Sequence, residues 1–292
     1  MTWPLYGDTM TEAALVTRLR DERPLVAVEL RPPRADLPRA RSIDTWIDMH
    51  HTIRRLVAQD TFVLLTDDAV GRNEEENLHH LQTNLAAEVD PGRLIPFLTC
   101  KHPLDYCLMY ADRAASSGYE ALTVLGGDKV GPPRCVPHAF ELRQRIRRRA
   151  PSLRLGGWAN PHRDPARQAE YLAAAQFQAD FYLTQVVSHH DLPAIEAFLE
   201  ACREREVSLP AAFGVFFYRS ARPKTLARLA RFLPVPADGL TREFEAGLTA
   251  EEICGKTIRS LRALGVQHVY VSNLDFAQAP GQLRRIQAAV EG

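Results

Sequence analysis

The sequence predicts a single-domain α/β protein with a (βα)8-barrel (TIM-barrel) fold, and three observations support that prediction. Eight short apolar runs rich in β-branched residues alternate with longer segments of helical periodicity, which is typical of parallel βα units. Eight strands close a barrel, and the 292 residues suit a fold that takes about 250. An open doubly wound sheet should carry a glycine-rich loop after its first strand, whereas Leu25–Leu30 leads into Arg31-Pro32-Pro33-Arg34.

Each predicted strand is a short apolar run bounded by polar or turn-forming residues. The strands are Leu25–Leu30, Phe62–Thr66, Leu94–Leu98, Ala121–Val124, Arg154–Trp158, Phe181–Thr184, Ala211–Val215 and His268–Ser272. Apolar residues at three- and four-residue spacing predict helices between them, among them Ile43–Ala58, Leu104–Ser117, Leu192–Arg205 and Ala250–Leu264. Asp191 and the capping box of Thr249 and Glu252 mark where the last two begin.

No internal repeat or low-complexity linker divides the chain, so we treat residues 1–292 as one barrel domain. Residues 1–23 are expected to form an N-terminal helical extension that covers the bottom of the barrel. Residues 234–248 are expected to form an excursion after the seventh helix.

The amino-acid composition limits the kinds of partner that we expect the protein to bind. Lys+Arg and Asp+Glu both total 36. Proteins that bind nucleic acids or anionic membranes usually carry an excess of basic residues, and this sequence has no such excess. The arginines from Arg143 to Arg149 have the spacing of a solvated helix face. There is no apolar run of 18 residues, no signal-peptide pattern and no CxxC pair among the five cysteines. We therefore expect a reduced, cytoplasmic protein that acts on a small molecule, and the oligomeric state stays open.

Polar residues at the carboxyl ends of the strands are the candidate site, because catalytic groups of this fold project from those ends. They are Glu29, Thr66, Asp67, Asp68, Thr99, Gly126, Gly127, Asp128, Asn160, His162, Thr184, Gln185, Tyr218, Arg219, Ser272 and Asn273.

Glu29 is the most informative of these residues, since it lies within an otherwise apolar strand. An ionised carboxylate inside a barrel is costly unless it is paired, so the pKa of Glu29 should rise. A carboxylic acid that stays protonated at neutral pH is what a general acid requires. The alternative is a structural ion pair with Arg31 or another arginine of the barrel.

Asp128 and Gln185 each allow two interpretations. A carboxylate after two glycines can stabilise a cation that develops during a reaction, or Asp128 can be an ordinary turn residue. Gln185 can offer both a donor and an acceptor to the edge of a heterocycle, or it can be a satisfied buried glutamine.

The histidine doublets and Cys100 give weaker signals. The doublets are His50-His51, His79-His80 and His189-His190. Neighbours in sequence rarely chelate one ion together, and no matching ligands stand at the other strand ends, so we expect no metal. Cys100 has no convincing histidine partner and is expected to be a small buried hydrophobe.

Four strand-end motifs resemble the methylenetetrahydrofolate reductase family over about residues 25–288. The family's Phe-Glu-Phe-x-Pro-Pro corresponds to residues 28–33 (VELRPP), and its Leu-Thr-Cys to Leu98-Thr99-Cys100. Its Arg-Gly-Asp corresponds to Gly126-Gly127-Asp128, and its Ile-Thr-Gln to Leu183-Thr184-Gln185. Each motif is weak alone, but the four occur in order and at the expected strand ends.

The resemblance implies reduction of 5,10-methylenetetrahydrofolate to 5-methyltetrahydrofolate, with the methylene bridge opening to a 5-iminium cation before hydride arrives. Glu29 would donate the proton for this opening, and Asp128 would stabilise the cation. Substrate binding is assigned to Gln185, Asn273 and Tyr218. Cofactor binding is assigned to Thr66, Thr99, Gly127, Trp158 and His162.

Members of the family use FAD as a hydride relay, and this chain lacks several of their flavin contacts. Phe97 replaces a histidine, Gly126 an arginine and Trp158 a tyrosine, and no positive charge stands near Ala174. Each charge-assisted hydrogen bond contributes about 1.5–3 kcal/mol, so losing two or more would weaken the binding of a diphosphate by orders of magnitude. Lys129 and Arg134, both on the fourth loop, are the substitutes available.

We therefore expect a flavin-independent reductase in which NADH or NADPH hands hydride directly to the iminium carbon. The first alternative is a conventional FAD-dependent reductase with different phosphate contacts, and the second is a non-catalytic folate-binding barrel. A folate-dependent lyase or methyltransferase is the third.

Overall fold

The computed structural model of the protein describes residues 13–67, 78, 88–127 and 133–292. Parallel strands pair in chain order and close into a barrel, with the last strand pairing with the first. The strands are β1 (Leu25–Leu30), β2 (Val63–Leu65), β3 (Leu94–Thr99), β4 (Ala121–Leu125), β5 (Arg154–Ala159), β6 (Phe181–Val187), β7 (Ala211–Phe216) and β8 (His268–Ser272). The predicted single-domain (βα)8 barrel is confirmed, and each predicted strand overlaps an observed one.

Helices pack around the outside of the barrel and between its strands in sequence. In the described residues they are α1 (Ala14–Arg20), α2 (Arg39–Val57), α3 (Leu104–Ser116), α4 (Ala139–Arg149), α5 (Pro165–Ala173), α6 (Leu192–Glu204), α7 (Pro223–Leu229), α8 (Ala237–Glu245), α9 (Ala250–Ala263) and α10 (Ala279–Glu291). The capping box of Thr249 and Glu252 begins α9 as the sequence predicts. Segment 234–248, expected as an excursion after the seventh helix, contains α8.

Side chains alternate between the two faces of each strand, and both faces are buried. In β1, Leu25 and Ala27 belong to the cluster inside the barrel, whereas Val26 and Val28 belong to the cluster between strands and helices. Burial on both faces explains why the strands are continuous apolar runs in the sequence. The same alternation decides which residues at the strand ends face the barrel mouth.

The amino-terminal end of the barrel is covered by α1. Leu15, Val16 and Leu19 of this helix join the same apolar cluster as the first inward residues of the strands. The amide nitrogen of Ala14 donates to Glu120, just before β4, at 2.7 Å. Residues 1–12 of the expected N-terminal extension lie outside the described residues. No helix in the described part of the chain combines the length and the apolar character needed to cross a bilayer.

Candidate functional site

A cleft of about 570 Å³ opens at the carboxyl ends of the strands, a volume typical of small-molecule sites. Every strand contributes to it, since an inward-facing residue near each carboxyl end lines the cleft. These residues are Glu29, Thr66, Phe97, Leu125, Trp158, Gln185, Phe216 and Ser272. A more open depression of about 650 Å³ lies on the outer surface between α2 and α10 and shares no lining residue with the cleft.

Tyr270 forms the floor of the cleft at the centre of the barrel. Its hydroxyl donates to the carbonyl oxygen of Thr184 at 2.5 Å. Gly214, on β7, leaves the space that this ring fills, because a Cβ there would lie 2.6 Å from the tyrosine hydroxyl. Burial, and then the negative charge of Glu29, raise the pKa of Tyr270 well above its ordinary value. The phenol therefore stays protonated and serves as a neutral floor beneath the carboxyl group.

Glu29 is half-buried in the wall of the cleft, next to Tyr270. It lies on the inward face of β1 because it continues the alternation of Leu25 and Ala27. Arg31 follows two residues later and lines the same cleft. The alternation along β1 therefore places the carboxyl group of Glu29 in the cleft wall.

Gln185 reaches the cleft because it continues the inward-facing alternation of Phe181 and Leu183 in β6, where a β-bulge also occurs. The pairing of β6 with β7 shifts register between Leu183 and Val186, and the hydroxyl of Thr184 accepts from the amide of Gly214 at 3.1 Å. The Oε1 of Gln185 accepts from the amide of Val186 at 2.9 Å. In the part of the chain that the structure describes, Nε2 of Gln185 has no acceptor, so this amide can donate to a ligand.

Asn273 closes the cleft after β8 from a left-handed turn, with φ of 70°. Asparagine tolerates this conformation better than most residues. Its Nδ2 donates to the carbonyl of Phe217 at 2.9 Å, and its own carbonyl accepts from Arg219 at 3.0 Å. These contacts hold the turn rigidly between β7 and β8.

Three arginines line the cleft, Arg31, Arg134 and Arg143, together with His138. The guanidinium of Arg134 lies against Gly126, and its Nη2 donates to the carbonyl of Gly127 at 2.6 Å. Of the two charges that the sequence offers as substitutes, Arg134 lines the cleft, and Lys129 lies outside the described residues.

Arg143 corrects the expectation that the arginines of α4 form a solvated face. Its side chain is 1% exposed and donates to the carbonyls of Phe177 (2.9 and 2.6 Å) and Val124 (3.2 Å). Burial lowers the pKa of its guanidinium. The sequence does contain a signal for this position, because Arg143 precedes the buried Ile146 by three residues and shares its face of the helix.

Three residues assigned to the site from sequence do not line the cleft. Thr99 is fully buried, and its amide donates to Asp67 at 2.7 Å. His162 donates from Nε2 to the carbonyl of Val186 at 2.9 Å, which ties the loop after β5 to β6. Tyr218 is buried among apolar residues of α7, α8 and α9.

The other residues that the sequence analysis singled out have different outcomes. Glu29, Thr66, Gly127, Trp158, Gln185 and Asn273 all line the cleft. Asp128 lies outside the described residues, as does Asp68. Asp67 does not line the cleft, since its carboxylate binds Nε2 of His102 at 2.8 Å. Cys100 is fully buried, and burial raises the pKa of its thiol to about 12, so it is no thiolate nucleophile.

A second polar cluster lies outside the cleft and was not foreseen as a unit. Glu243 of α8 accepts from Nε2 of His189 at 2.8 Å, from Nε2 of His190 at 3.0 Å and from Lys256 at 2.6 Å. Burial would raise the pKa of Glu243, but the hydrogen bonds from Lys256 and the histidines lower it below its ordinary value. Burial lowers the pKa of His189.

Comparisons with known proteins identify the fold and no family. No protein-family model and no curated protein matches the sequence. Among solved structures the chain is similar to an uncharacterized protein from Clostridium thermocellum that binds two copies of 5-methyl-5,6,7,8-tetrahydrofolic acid. That likeness has a TM-score of 0.66 at 15% identity and covers 95% of this chain and 98% of the other. QR15, an aldolase, gives a TM-score of 0.47 at 10% identity over 93% and 99% of the two chains. The likeness is one of fold.

Proposed function

We propose that the protein reduces 5,10-methylenetetrahydrofolate to 5-methyltetrahydrofolate, with NADH or NADPH as the direct hydride donor. The observation that carries the proposal is the position of Glu29, the one carboxyl group among the described lining residues of a cleft that also presents the donor amide of Gln185. The aromatic and apolar lining of Phe97, Trp158 and Phe216 suits flat heterocycles.

Glu29 would act as the general acid that opens the methylene bridge. Its proton goes to N10 of the folate, the bond between N10 and the methylene carbon breaks, and the methylene remains on N5 as an iminium cation. Hydride from the reduced nicotinamide then adds to the methylene carbon, giving the 5-methyl group and oxidised nicotinamide. One proton and one hydride are consumed in each turnover, and Glu29 is reprotonated from solvent.

The remaining roles follow from position. Gln185 would donate to the folate heterocycle, and Asn273 would bind the folate from the opposite rim. Thr66, Gly127 and Trp158 would contact the nicotinamide cofactor. Asp128 stays a predicted stabiliser of the cation. Tyr218, Thr99 and His162 have no contact role in this proposal, because they lie outside the cleft lining.

The choice of folate is supported by the structural neighbour. The Clostridium thermocellum protein binds 5-methyltetrahydrofolate, which is the product of the proposed reaction. Combined with the four strand-end motifs of the sequence, this neighbour favours a reduced folate over other heterocyclic substrates.

A conventional FAD-dependent reductase is the second candidate, and two arginines of the cleft lining are compatible with it. Arg31 and Arg134 could hold the phosphates of FAD as well as those of a nicotinamide dinucleotide. FAD, if bound, would relay hydride between nicotinamide and folate. The missing family contacts at Phe97, Gly126 and Trp158 support the direct route instead.

The test is oxidation of NADH and of NADPH with methylenetetrahydrofolate, using protein whose visible spectrum shows no flavin. Turnover, with intersecting lines in initial-rate plots, supports direct transfer within a ternary complex. Turnover that requires added FAD, or parallel lines, supports the second candidate. No turnover under either condition, together with tight binding of 5-methyltetrahydrofolate, would show a folate-binding barrel and overturn the proposal.

A further inference from the structure

We propose that His189, His190 and Glu243 form a binding site for one first-row divalent transition-metal ion, with Zn²⁺ as the best-fitting ion. The site is separate from the cleft, since none of the three residues lines it. The proposal is therefore independent of the function proposed above, and it revises the expectation from sequence that the chain has no metal site.

The ligand set is the first argument. One ring nitrogen from each histidine and one carboxylate oxygen all lie within 4.8 Å of one another. Two imidazoles and a carboxylate suit Zn²⁺ and other borderline divalent ions, and sites with three protein ligands keep an open position for water. Ca²⁺ and Mg²⁺ prefer sites made of oxygen ligands alone.

The second argument is that the local chain is shaped to bring the ligands together. His190 packs so closely on α8 that a Cβ at Gly239 would lie 2.5 Å from its ring. A glycine inside a helix costs about 1 kcal/mol relative to alanine, and here it admits the imidazole. Ser188 caps the turn that carries both histidines by accepting from the amide of His190 at 3.3 Å.

The third argument is the hydrogen-bond partner of Nδ1 of His189, the ring nitrogen that would not bind the metal. A histidine that ligates a metal almost always donates its other ring N–H to a fixed acceptor. The Nδ1 of His189 lies 2.7 Å from the hydroxyl of Thr257, and that hydroxyl can donate to the carbonyl of Ile253 at 3.2 Å. In the metal-free chain Nε2–H donates to Glu243, and Nδ1 accepts from the hydroxyl of Thr257. When a metal binds, the proton would move to Nδ1, which would then donate to Thr257 and leave the Nε2 lone pair for the ion.

Lys256 explains how the site is satisfied without metal. Its ammonium lies 2.6 Å from Oε1 of Glu243, and its side chain is 46% exposed, so it can swing into solvent when an ion binds. The hydroxyl of Thr257 can then turn between donating to His189 and donating to Ile253. Metal and lysine therefore compete for one carboxylate.

Metal binding would link separate elements of the fold. The histidines follow β6, Glu243 belongs to α8, and Thr257 and Lys256 belong to α9. One ion would tie the segment after a barrel strand to α8, and the hydrogen bond of His189 with Thr257 would connect the site to α9.

The experiment uses the full chain after treatment with a chelator. Zn²⁺ affinity is measured by competition with a chromophoric chelator, and Co²⁺ is added as a spectroscopic probe. We expect one ion per chain, the visible absorption of a four- or five-coordinate Co²⁺ site, and a higher melting temperature with Zn²⁺ because the ion binds only the folded state.

Four variants separate a built site from surface binding. Thr257→Val removes the hydrogen-bond partner of a ligating histidine and should weaken Zn²⁺ binding roughly 10- to 100-fold. His190→Ala removes a ligand itself and should weaken binding by at least as much. Lys256→Met, which keeps the stem and removes the competing charge, should bind Zn²⁺ equally or more tightly. His51→Ala removes an exposed histidine of α2 and should match the parent chain.

Three results would overturn the proposal. The first is Zn²⁺ binding by the parent chain no tighter than that of His190→Ala. The second is a Co²⁺ spectrum that stays that of the hexaaqua ion. The third is weaker binding by Lys256→Met, which would show that the lysine belongs to a metal-free ion cluster. Parent chain and Lys256→Met decide the matter even if His190→Ala fails to fold.

Discussion

The guanidinium of Arg134 covers Gly126, with its Cζ 2.9 Å from the position that a Cβ on residue 126 would occupy. The glycine therefore makes room for a positive charge that arrives from eight positions later in the chain. Arg134 is recognisable in the sequence as an available charge on this loop, but its contact with Gly126 is visible only in the structure.

The position of Arg134 predicts a role in binding the anionic part of the nicotinamide cofactor. Arg134→Met should raise the KM for NADH or NADPH roughly 10- to 100-fold, since a charge-assisted hydrogen bond is worth about 1.5–3 kcal/mol. The KM for folate should change much less. Steady-state kinetics measures both, and Arg148→Met on the exposed face of α4 is the matched control. Equal effects of the two substitutions would contradict the assignment.

Glu29→Gln should separate binding from catalysis. The amide keeps the size of the side chain but cannot deliver the proton, so turnover should fall by roughly 10²- to 10⁴-fold, the contribution typical of a general acid. Affinity for 5-methyltetrahydrofolate, measured by calorimetry, should stay nearly unchanged. Glu204→Gln, on the exposed end of α6, should leave both quantities as they are. Survival of turnover in Glu29→Gln would remove Glu29 from the mechanism.

Gly214→Ala should strain the floor of the cleft. The new methyl group would lie 2.6 Å from the hydroxyl of Tyr270 and 3.1 Å from the carbonyl oxygen of Thr184, and overpacking of this kind costs about 1–3 kcal/mol of unfolding free energy. Because Tyr270 supplies the nearest contact, Gly214→Ala combined with Tyr270→Leu should cost less than the sum of the two single changes.

Urea denaturation of the four proteins in this cycle measures the coupling. Gly281→Ala in α10 is the matched control, because a Cβ there would meet only the end of Arg285, at 3.5 Å. If the changes in unfolding free energy at positions 214 and 270 were strictly additive, the ring of Tyr270 would not be what restricts the side chain at position 214.

His268 should make stability depend on pH. It begins β8 and is 7% exposed, and burial, followed by the charge of Arg18, lowers its pKa below its ordinary value. As the pH falls below about 6.5, the unfolded chain takes up the proton before the folded chain does, so folding stability decreases until the folded-state pKa is passed.

His268→Gln should therefore lose less unfolding free energy than the parent chain between about pH 7.5 and about pH 5.5. Urea denaturation at several pH values gives this comparison. His51→Gln, at an exposed position of α2, should follow the parent profile. Parallel profiles for His268→Gln and the parent would contradict the prediction.

The strands and the barrel could be predicted from the sequence because their signals are local. β1 and β8 have the predicted bounds, and β6 extends to Val187 beyond the predicted Thr184. The additional residues come after the β-bulge near Gln185. This bulge is defined by the pairing of β6 with β7, and the sequence of β6 contains no pattern that predicts it. Alternation along the strands also places Glu29, Thr66 and Gln185 at the barrel mouth.

Other parts of the site depend on contacts between distant segments. Arg143 belongs to a run of arginines whose composition suggests solvent, yet its guanidinium is held by the carbonyl of Phe177, 34 residues away. Tyr218 and Thr99 follow the strand-end rule, yet neighbouring helices and loops bury them outside the cleft lining.

The amino-acid pattern alone therefore established eight strands, their order and the inward-facing carboxyl group of Glu29, because apolar periodicity and β-branched runs act within a few residues. Tertiary structure alone brought Arg134 over Gly126 and joined His189 to Glu243, 54 residues apart. These contacts depend on how the closed barrel orients each helix and loop, and the local periodicity of the sequence does not contain that information.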